Sequence, residues 1–254
     1  MPSPLQTTIR DLHRQRGRER RGLTLAEGVR LVEEAVEASG SIESVVYSPS
    51  LEKTERGKAL LASLTELNVT VEMVEDAELD RLADTQNPQG IIAVVRAPRW
   101  ALADIRVKMG PVLVLDGVQD PGNTGTMLRT ALGLGAAGII ALPGTVEVTN
   151  PKVLRGSMGA VFRLPWVELS MDDLLGWVEK EKVTLLAAAS DGDPISGMDI
   201  RLPAALVVGN EGAGLSPPIR AAGRAVSIPI SRGTESLNVA VAAGILLYEV
   251  SRGR

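Results

Sequence analysis

Four short, largely apolar runs recur through the second half of the chain: Pro111–Leu115, Gly138–Leu142, Val183–Ala189 and Ala205–Val208. They alternate with helical segments such as Thr124–Leu134 and the apolar Ser236–Val250. A strand that is apolar on both faces must be covered on both. Such strands alternating with helices predict an α/β fold with a mostly parallel sheet between helical layers. In open sheets of this kind, ligands bind beyond the carboxyl ends of the strands.

The first third repeats the alternation on a smaller scale. In Leu25–Ser39 (LAEGVRLVEEAVEAS), Leu25, Val29, Val32 and Val36 recur every three or four residues, which predicts an amphipathic helix. Ile42–Tyr47 reads as a strand, Leu51–Leu67 as a helix, Val69–Val74 as a half-buried strand and Gly90–Val95 (GIIAVV) as a buried one. Arg96–Gly110 contains Pro98 and no strong periodicity. The expected organisation is a small α/β domain over 1–98, a linker at 99–109 and a larger α/β domain over 110–254.

Composition removes several chemistries. The chain has no cysteine and one histidine, His13, which excludes disulfides, cysteine nucleophiles and Cys/His zinc sites; no metal is expected. A Ser-His-Asp triad would need that histidine from a charged N-terminal segment. Only six residues are aromatic, too few for a base-stacking platform. No apolar run approaches the ~18 residues of a membrane span, and no signal-peptide pattern opens the chain, so a cytoplasmic location is expected. The net charge of −4 hides an asymmetry: residues 1–30 carry seven arginines against three carboxylates. A basic end on an acidic body suits a polyanion contact, although alternating charge also describes a solvated helix.

Gly133–Gly138 (GLGAAG) matches the dinucleotide-binding fingerprint letter by letter. It closes a helix and leads into a strand, the reverse of the context that motif needs, so a helix C-cap and turn are expected. A nicotinamide oxidoreductase would rest on these glycines alone. Three other segments are harder to explain by packing. Asp116–Arg129 (DGVQDPGNTGTMLR) leaves a strand, turns at Pro121-Gly122 and enters a helix, with Asn123 as candidate N-cap. Val207–Ser216 (VVGNEGAGLS) runs from a strand into a loop with three glycines around Glu211. Ser227–Ala243 (SIPISRGTESLNVAVAA) opens an apolar helix near Ser236, its candidate N-cap.

In this order the three segments resemble the SpoU/TrmH family of RNA ribose 2′-O-methyltransferases, part of the SPOUT superfamily. Asn150–Pro165 (NPKVLRGSMGAVFRLP) is similar to the stretch between that family's first two motifs. GLTLAEGVRLVEEAV and TQNPQGIIAVV resemble its substrate-binding domain, itself similar to small RNA-binding ribosomal proteins. One departure is visible: Ala240 stands where the family usually has serine.

The resemblance implies a C-terminal trefoil knot, a homodimer and S-adenosylmethionine as methyl donor. Val239, Ala242, Ala243, Leu246 and Leu247 would need burial, in a partner or in the subunit's own core. Carried over by position, backbone groups at Gly209, Ile228 and Leu237 hold the donor, with Ala188 and Asn238 adding contacts. Arg129, Asn123, Glu211, Ser236 and Asn238 fall on the polar catalytic positions. Arg129 is the family's candidate base, but a guanidinium rarely deprotonates, so alkoxide stabilisation and a phosphate grip suit it better. Arg10, Arg14, Arg16, Arg18, Arg20 and Arg21 are the candidate RNA-binding residues. The separate N-terminal domain favours 23S rRNA over tRNA as substrate. A non-catalytic RNA-binding protein of ribosome assembly is the competing class.

Overall fold

The computed structural model describes residues 2–38, 41–86, 88–231, 233 and 236–252. The chain divides into two compact units, Met1–Arg99 with Thr149–Phe162, and Trp100–Val148 with Arg163–Arg254.

The first unit contains α1 (Pro4–Leu12), α2 (Gln15–Arg21), β1 (Thr24–Glu27), α3 (Val29–Glu37), β2 (Ser41–Tyr47), α4 (Glu55–Glu66), β3 (Thr70–Met73), α5 (Asp76–Leu82) and β4 (Ile91–Arg96). Its sheet runs β1-β4-β2-β3, with β2 and β3 parallel and the other pairs antiparallel. Central β4 is buried along its first five residues, which explains a run without polar alternation. Ile9, Leu12, Leu79 and Leu82 pack with Leu25, Val46, Ile92 and Val94 in the core.

Two helical expectations are corrected here. Leu25–Ser39 is not one helix: Thr24–Glu27 pairs with Val95–Ile92, and α3 begins only at Val29. Gly28, at φ 94°, makes the break, and its amide donates to the Ile91 carbonyl at 3.1 Å. All four residues of β1 are buried, so apolar spacing that looked helical reflects a covered strand running into a helix; Ser39 lies outside the described residues. Leu51–Leu67 is also split, into a 3₁₀ turn at Leu51–Lys53 and α4, which Thr54 caps by accepting from the Gly57 amide at 3.0 Å.

The rest of the chain forms β5 (Val112–Asp116), α6 (Pro121–Gly133), β6 (Gly138–Ala141), α7 (Pro151–Ser157), α8 (Ala160–Arg163), β7 (Trp166–Glu168), α9 (Met171–Glu181), β8 (Thr184–Pro194), β9 (Ala204–Gly209), α10 (Pro217–Ala222), β10 (Arg224–Ser227) and α11 (Val239–Ser251). The second unit's sheet has the order β10-β8-β9-β5-β6-β7, and every neighbouring pair is parallel. Its core joins Val112, Val114, Ile140, Ala205 and Val207 of the sheet to Leu174 and Trp177 of α9 and Ile219 of α10. Gly133 is the last residue of α6 and Gly135 turns at φ 66° toward β6, so the glycine-rich string is a helix end.

Residues 149–162 belong to the first unit. There Thr24 Oγ1 donates to the Thr149 carbonyl at 2.6 Å, and Arg155 pairs with Asp84 at 3.4 Å. Gly159, at φ 84°, lies so close to Glu34 that an added Cβ would be 2.5 Å from the Glu34 Cβ. Among the described residues, no helix is long and apolar enough to cross a membrane.

Candidate active site

At the carboxyl ends of β9 and β10, beside the middle of β8, lies a cleft of about 480 Å³. Ala188, Gly209, Ile228, Leu237 and Asn238 all line it, together with Glu211 and Ser236. Its walls are otherwise largely aliphatic, from Val208, Leu215, Val226, Ala242 and Leu246. A mostly apolar cleft of this volume with a few fixed polar groups suits a small organic ligand.

The glycine-rich loop after β9 is closed on itself. Asn210 and Gly214 exchange backbone hydrogen bonds at 3.0 and 2.9 Å. The Asn210 side chain accepts from the amides of Gly212 and Ala213 at 2.9 and 2.8 Å and donates to the Gly117 carbonyl at 2.8 Å. Gly209 is demanded by this closure: an added Cβ would lie 2.4 to 2.5 Å from backbone atoms of Gly214 and Leu215. Buried Asp116, the last residue of β5, accepts from the Ser216 amide at 2.7 Å and ties the loop's far end to the sheet.

Two helix starts meet beside this loop. The N-cap of α6 is Asp120, which accepts from the Asn123 amide at 2.6 Å, so Asn123 is not the cap and its side chain is free for other bonds. Likewise Asn238, not Ser236, caps α11, accepting from Ala240 and Val241 at 2.9 and 3.2 Å. In each case a carboxylate or amide with the right extended backbone, one residue before the helix, takes the cap. The Asn238 amide group donates to Asn123 Oδ1 at 3.0 Å, and Asn123 Nδ2 donates to Glu211 at 3.1 Å. Glu211 also accepts from the amides of Gln119 and Asp120, both at 3.3 Å. Partial burial works to raise the Glu211 pKa, but the bonds from Asn123 and the backbone amides outweigh it and hold it below the usual glutamate value. This carboxylate stays ionised at neutral pH and is already occupied by donors. Its hydrogen bonds join the loop after β9 to the start of α6.

Arg129 is exposed on α6, outside the cleft lining, and makes no hydrogen bond or ion pair among the described residues. Ser236 is exposed at the cleft. The basic N-terminal residues divide. Arg18 is buried and donates to the carbonyls of Leu12 and His13 at 2.9 and 3.1 Å, which turns it into its own unit. Arg10 pairs with Glu78 at 3.1 Å, and Arg20 and Arg21 share Asp11 at 2.7 Å each. Arg14 and Arg16 are exposed with no partner among the described residues. Residues not anticipated include Arg220, which lines the cleft and pairs with Asp191 at 3.3 Å. No sequence signal marks it. Asn210, by contrast, sits inside the glycine-rich motif, where an Asx-type turn could have been expected. Ala240 is buried at the start of α11, its amide held by Asn238. Among the described residues, no group of three or more His, Cys, Asp or Glu side chains is placed to hold a metal ion.

A six-stranded parallel sheet with a small-molecule cleft at its carboxyl edge, together with a small α/β unit, defines the class: a two-unit α/β protein with a site for a small organic ligand. The chain belongs to the SpoU rRNA Methylase family, which it matches over residues 110–248, and it matches the MRM3-like substrate binding domain over residues 7–93. It is 34% identical to an uncharacterized tRNA/rRNA methyltransferase of Synechocystis, covering 98% of this chain and 91% of that one. It is 32% identical to the 23S rRNA (guanosine(2553)-2′-O)-methyltransferase RlmP of Bacillus subtilis, covering 94% and 92%. Among solved structures it resembles the SpoU methyltransferase AviRb of Streptomyces viridochromogenes in complex with AdoMet, with 30% identity, 98% of each chain covered and a TM-score of 0.87.

Proposed function

We propose that this chain transfers the methyl group of S-adenosylmethionine to a ribose 2′-hydroxyl of RNA, with 23S rRNA as substrate and the cytoplasm as its place of action. The observation that carries the reading is the single cleft collecting Ala188, Gly209, Ile228, Leu237 and Asn238, with the Glu211–Asn123–Asn238 chain beside it. The lining fits the donor: aliphatic walls for an adenosine, backbone groups at Gly209, Ile228 and Leu237 for its polar edges, and few competing charges. When bound, the donor supplies an electrophilic methyl on a sulfonium, so the reaction needs no metal.

The remaining difficulty is a ribose hydroxyl that is neutral at pH 7. Glu211, Asn123 and Asn238 fix the starts of α6 and α11, where exposed amide dipoles favour negative charge. Arg129, exposed on α6 and unpaired among the described residues, would grip an RNA phosphate and stabilise charge developing on the 2′-oxygen. The proton leaves to water or phosphate. Only RNA offers a 2′-hydroxyl, and the first unit with Arg10, Arg14, Arg16, Arg20 and Arg21 would hold it by backbone and shape.

The functional unit is a homodimer with a knotted C-terminal half. Ala243, Leu246 and Leu247 are buried within their own unit, which leaves Val241, Ile245 and Tyr248 as the exposed apolar stripe of α11, at 53, 40 and 53% exposure. This spacing of four and three residues is one helix face.

Transfer of labelled methyl to unmodified 23S rRNA and, separately, to tRNA tests the reading, with Arg129→Ala alongside and alkaline mapping of the product. Incorporation into rRNA that vanishes in the variant is expected. Labelling of tRNA alone overturns the substrate, and absence of donor binding overturns the enzyme reading in favour of an assembly protein.

A further inference from the structure

Residues 94–109 lie between the two family matches, and the arginines there have no part in the function above. Arg96 ends β4 and Arg99 follows three residues later. Both guanidinium groups turn back over Gly22: a Cβ built there would lie 3.3 Å from Arg96 Nη1 and 3.6 Å from Arg99 Nη2. Gly22 is the left-handed cap of α2, at φ 64°, and the last turn of that helix carries Arg20 and Arg21. Arg96 and Arg99 therefore meet over the end of a helix whose last turn also carries Arg20 and Arg21.

The carboxylates nearby do not balance them. Arg20 and Arg21 share the single charge of Asp11. Arg96 pairs with Glu43 and also donates to the Gly22 carbonyl at 3.5 Å. Arg99 is exposed and has no hydrogen bond or ion pair among the described residues. The C-terminal end of a helix tolerates such cations, yet Arg96 and Arg99 stand there against the single charge of Glu43. A planar guanidinium left open beside others is suited to bidentate contact with a phosphate. The missing side chain at Gly22 leaves the approach clear.

We propose that Arg96 and Arg99 over Gly22 form a binding site for a phosphate of the RNA backbone. The site rests on the RNA-binding reading above and extends it from the N-terminal arginines to the chain segment beyond β4. It positions RNA and carries no base preference.

The test is binding of full-length protein to an unmodified 23S rRNA transcript over a series of KCl concentrations. Arg99→Ala is expected to weaken binding several-fold and to lower the slope of log K against log salt by about 0.7–0.9, the loss of one phosphate contact. Glu43→Gln, which releases Arg96 from its carboxylate, is expected to tighten binding. Donor affinity and melting temperature stay unchanged in both variants. An unchanged slope in Arg99→Ala, with the wild type binding RNA, overturns the site and leaves the RNA reading intact. Failure of the wild type to bind RNA at any salt overturns the RNA reading itself. Displacement of the transcript by polyglutamate as readily as by polyphosphate overturns the phosphate assignment in favour of an acidic protein partner.

Discussion

Asn238 donates to Asn123 across 3.0 Å, and through that bond the cap of α11 is joined to the first turn of α6. The two helices stay in contact further along, where a Cβ on Gly244 would meet the Thr130 methyl at 3.4 Å. They run side by side in the same direction, so their positive ends lie together.

Asn123→Asp should break this joint. A carboxylate at that position would face Glu211 across the present 3.1 Å contact, where like charges repel. Thermal unfolding should show a loss of about 1–3 kcal/mol at neutral pH, against about 1 kcal/mol for Asn123→Ala. Equal losses in the two variants would contradict the assignment of Glu211 as ionised.

Acid should undo the same joint in the wild type. Because the folded-state pKa of Glu211 is depressed, its contribution is fully present above the ordinary glutamate value and is lost as pH falls through the folded one. The melting-temperature gap between wild type and Glu211→Gln should therefore be constant near neutrality and shrink below the usual carboxylate range. Melts across that range decide it.

Gly209→Ala should damage donor binding without touching a catalytic group. The added methyl would overlap Gly214 and Leu215 backbone, forcing the loop open at a cost of about 1–3 kcal/mol. Calorimetry with S-adenosylmethionine should show weakened or absent binding, while an RNA-binding assay on the same protein stays near wild type.

Arg129→Lys should lose most of the activity although it keeps the charge, because an ammonium cannot reproduce the planar fork. A drop of about 10²–10³ in kcat/KM is expected, with donor affinity unchanged. Turnover near wild type would remove the fork from the mechanism.

Ile245→Glu and Tyr248→Glu place charge on the exposed stripe of α11. Light scattering should report a monomer for either variant and a dimer for the wild type. A monomeric wild type would mean that the stripe has another occupant or none.

Continuous burial made much of the fold readable from sequence. β5 and β6 are buried at every residue, and their apolar runs announce them. The same logic misled at Leu25, where a covered strand and the following helix share one apolar rhythm and only Gly28 marks the break. The letters of the site were visible, but their pairing was not. Asn123 meets Glu211 and Asn238 across 88 and 115 residues, and sheet order alone decides such meetings. Cap positions shifted for a local reason: where several capping residues stand close together, backbone geometry chooses among them. Arg18 carried the same charge signal as its neighbours, and nothing short of packing distinguishes the arginine that turns inward.

The chain enters the first unit twice, once at its start and again at residues 149–162. Exchanging first domains between relatives by a single cut near residue 99 would therefore transplant an unfinished body. It would set Thr24, Asp84 and β1 against a relative's counterparts of Thr149, Arg155 and α7 in place of their own. Chimaeras that carry residues 149–162 along with 1–99 respect the seam the molecule uses. The small unit is thus stitched into the chain at two places, and a substitution within 149–162 is felt in the packing of the first unit.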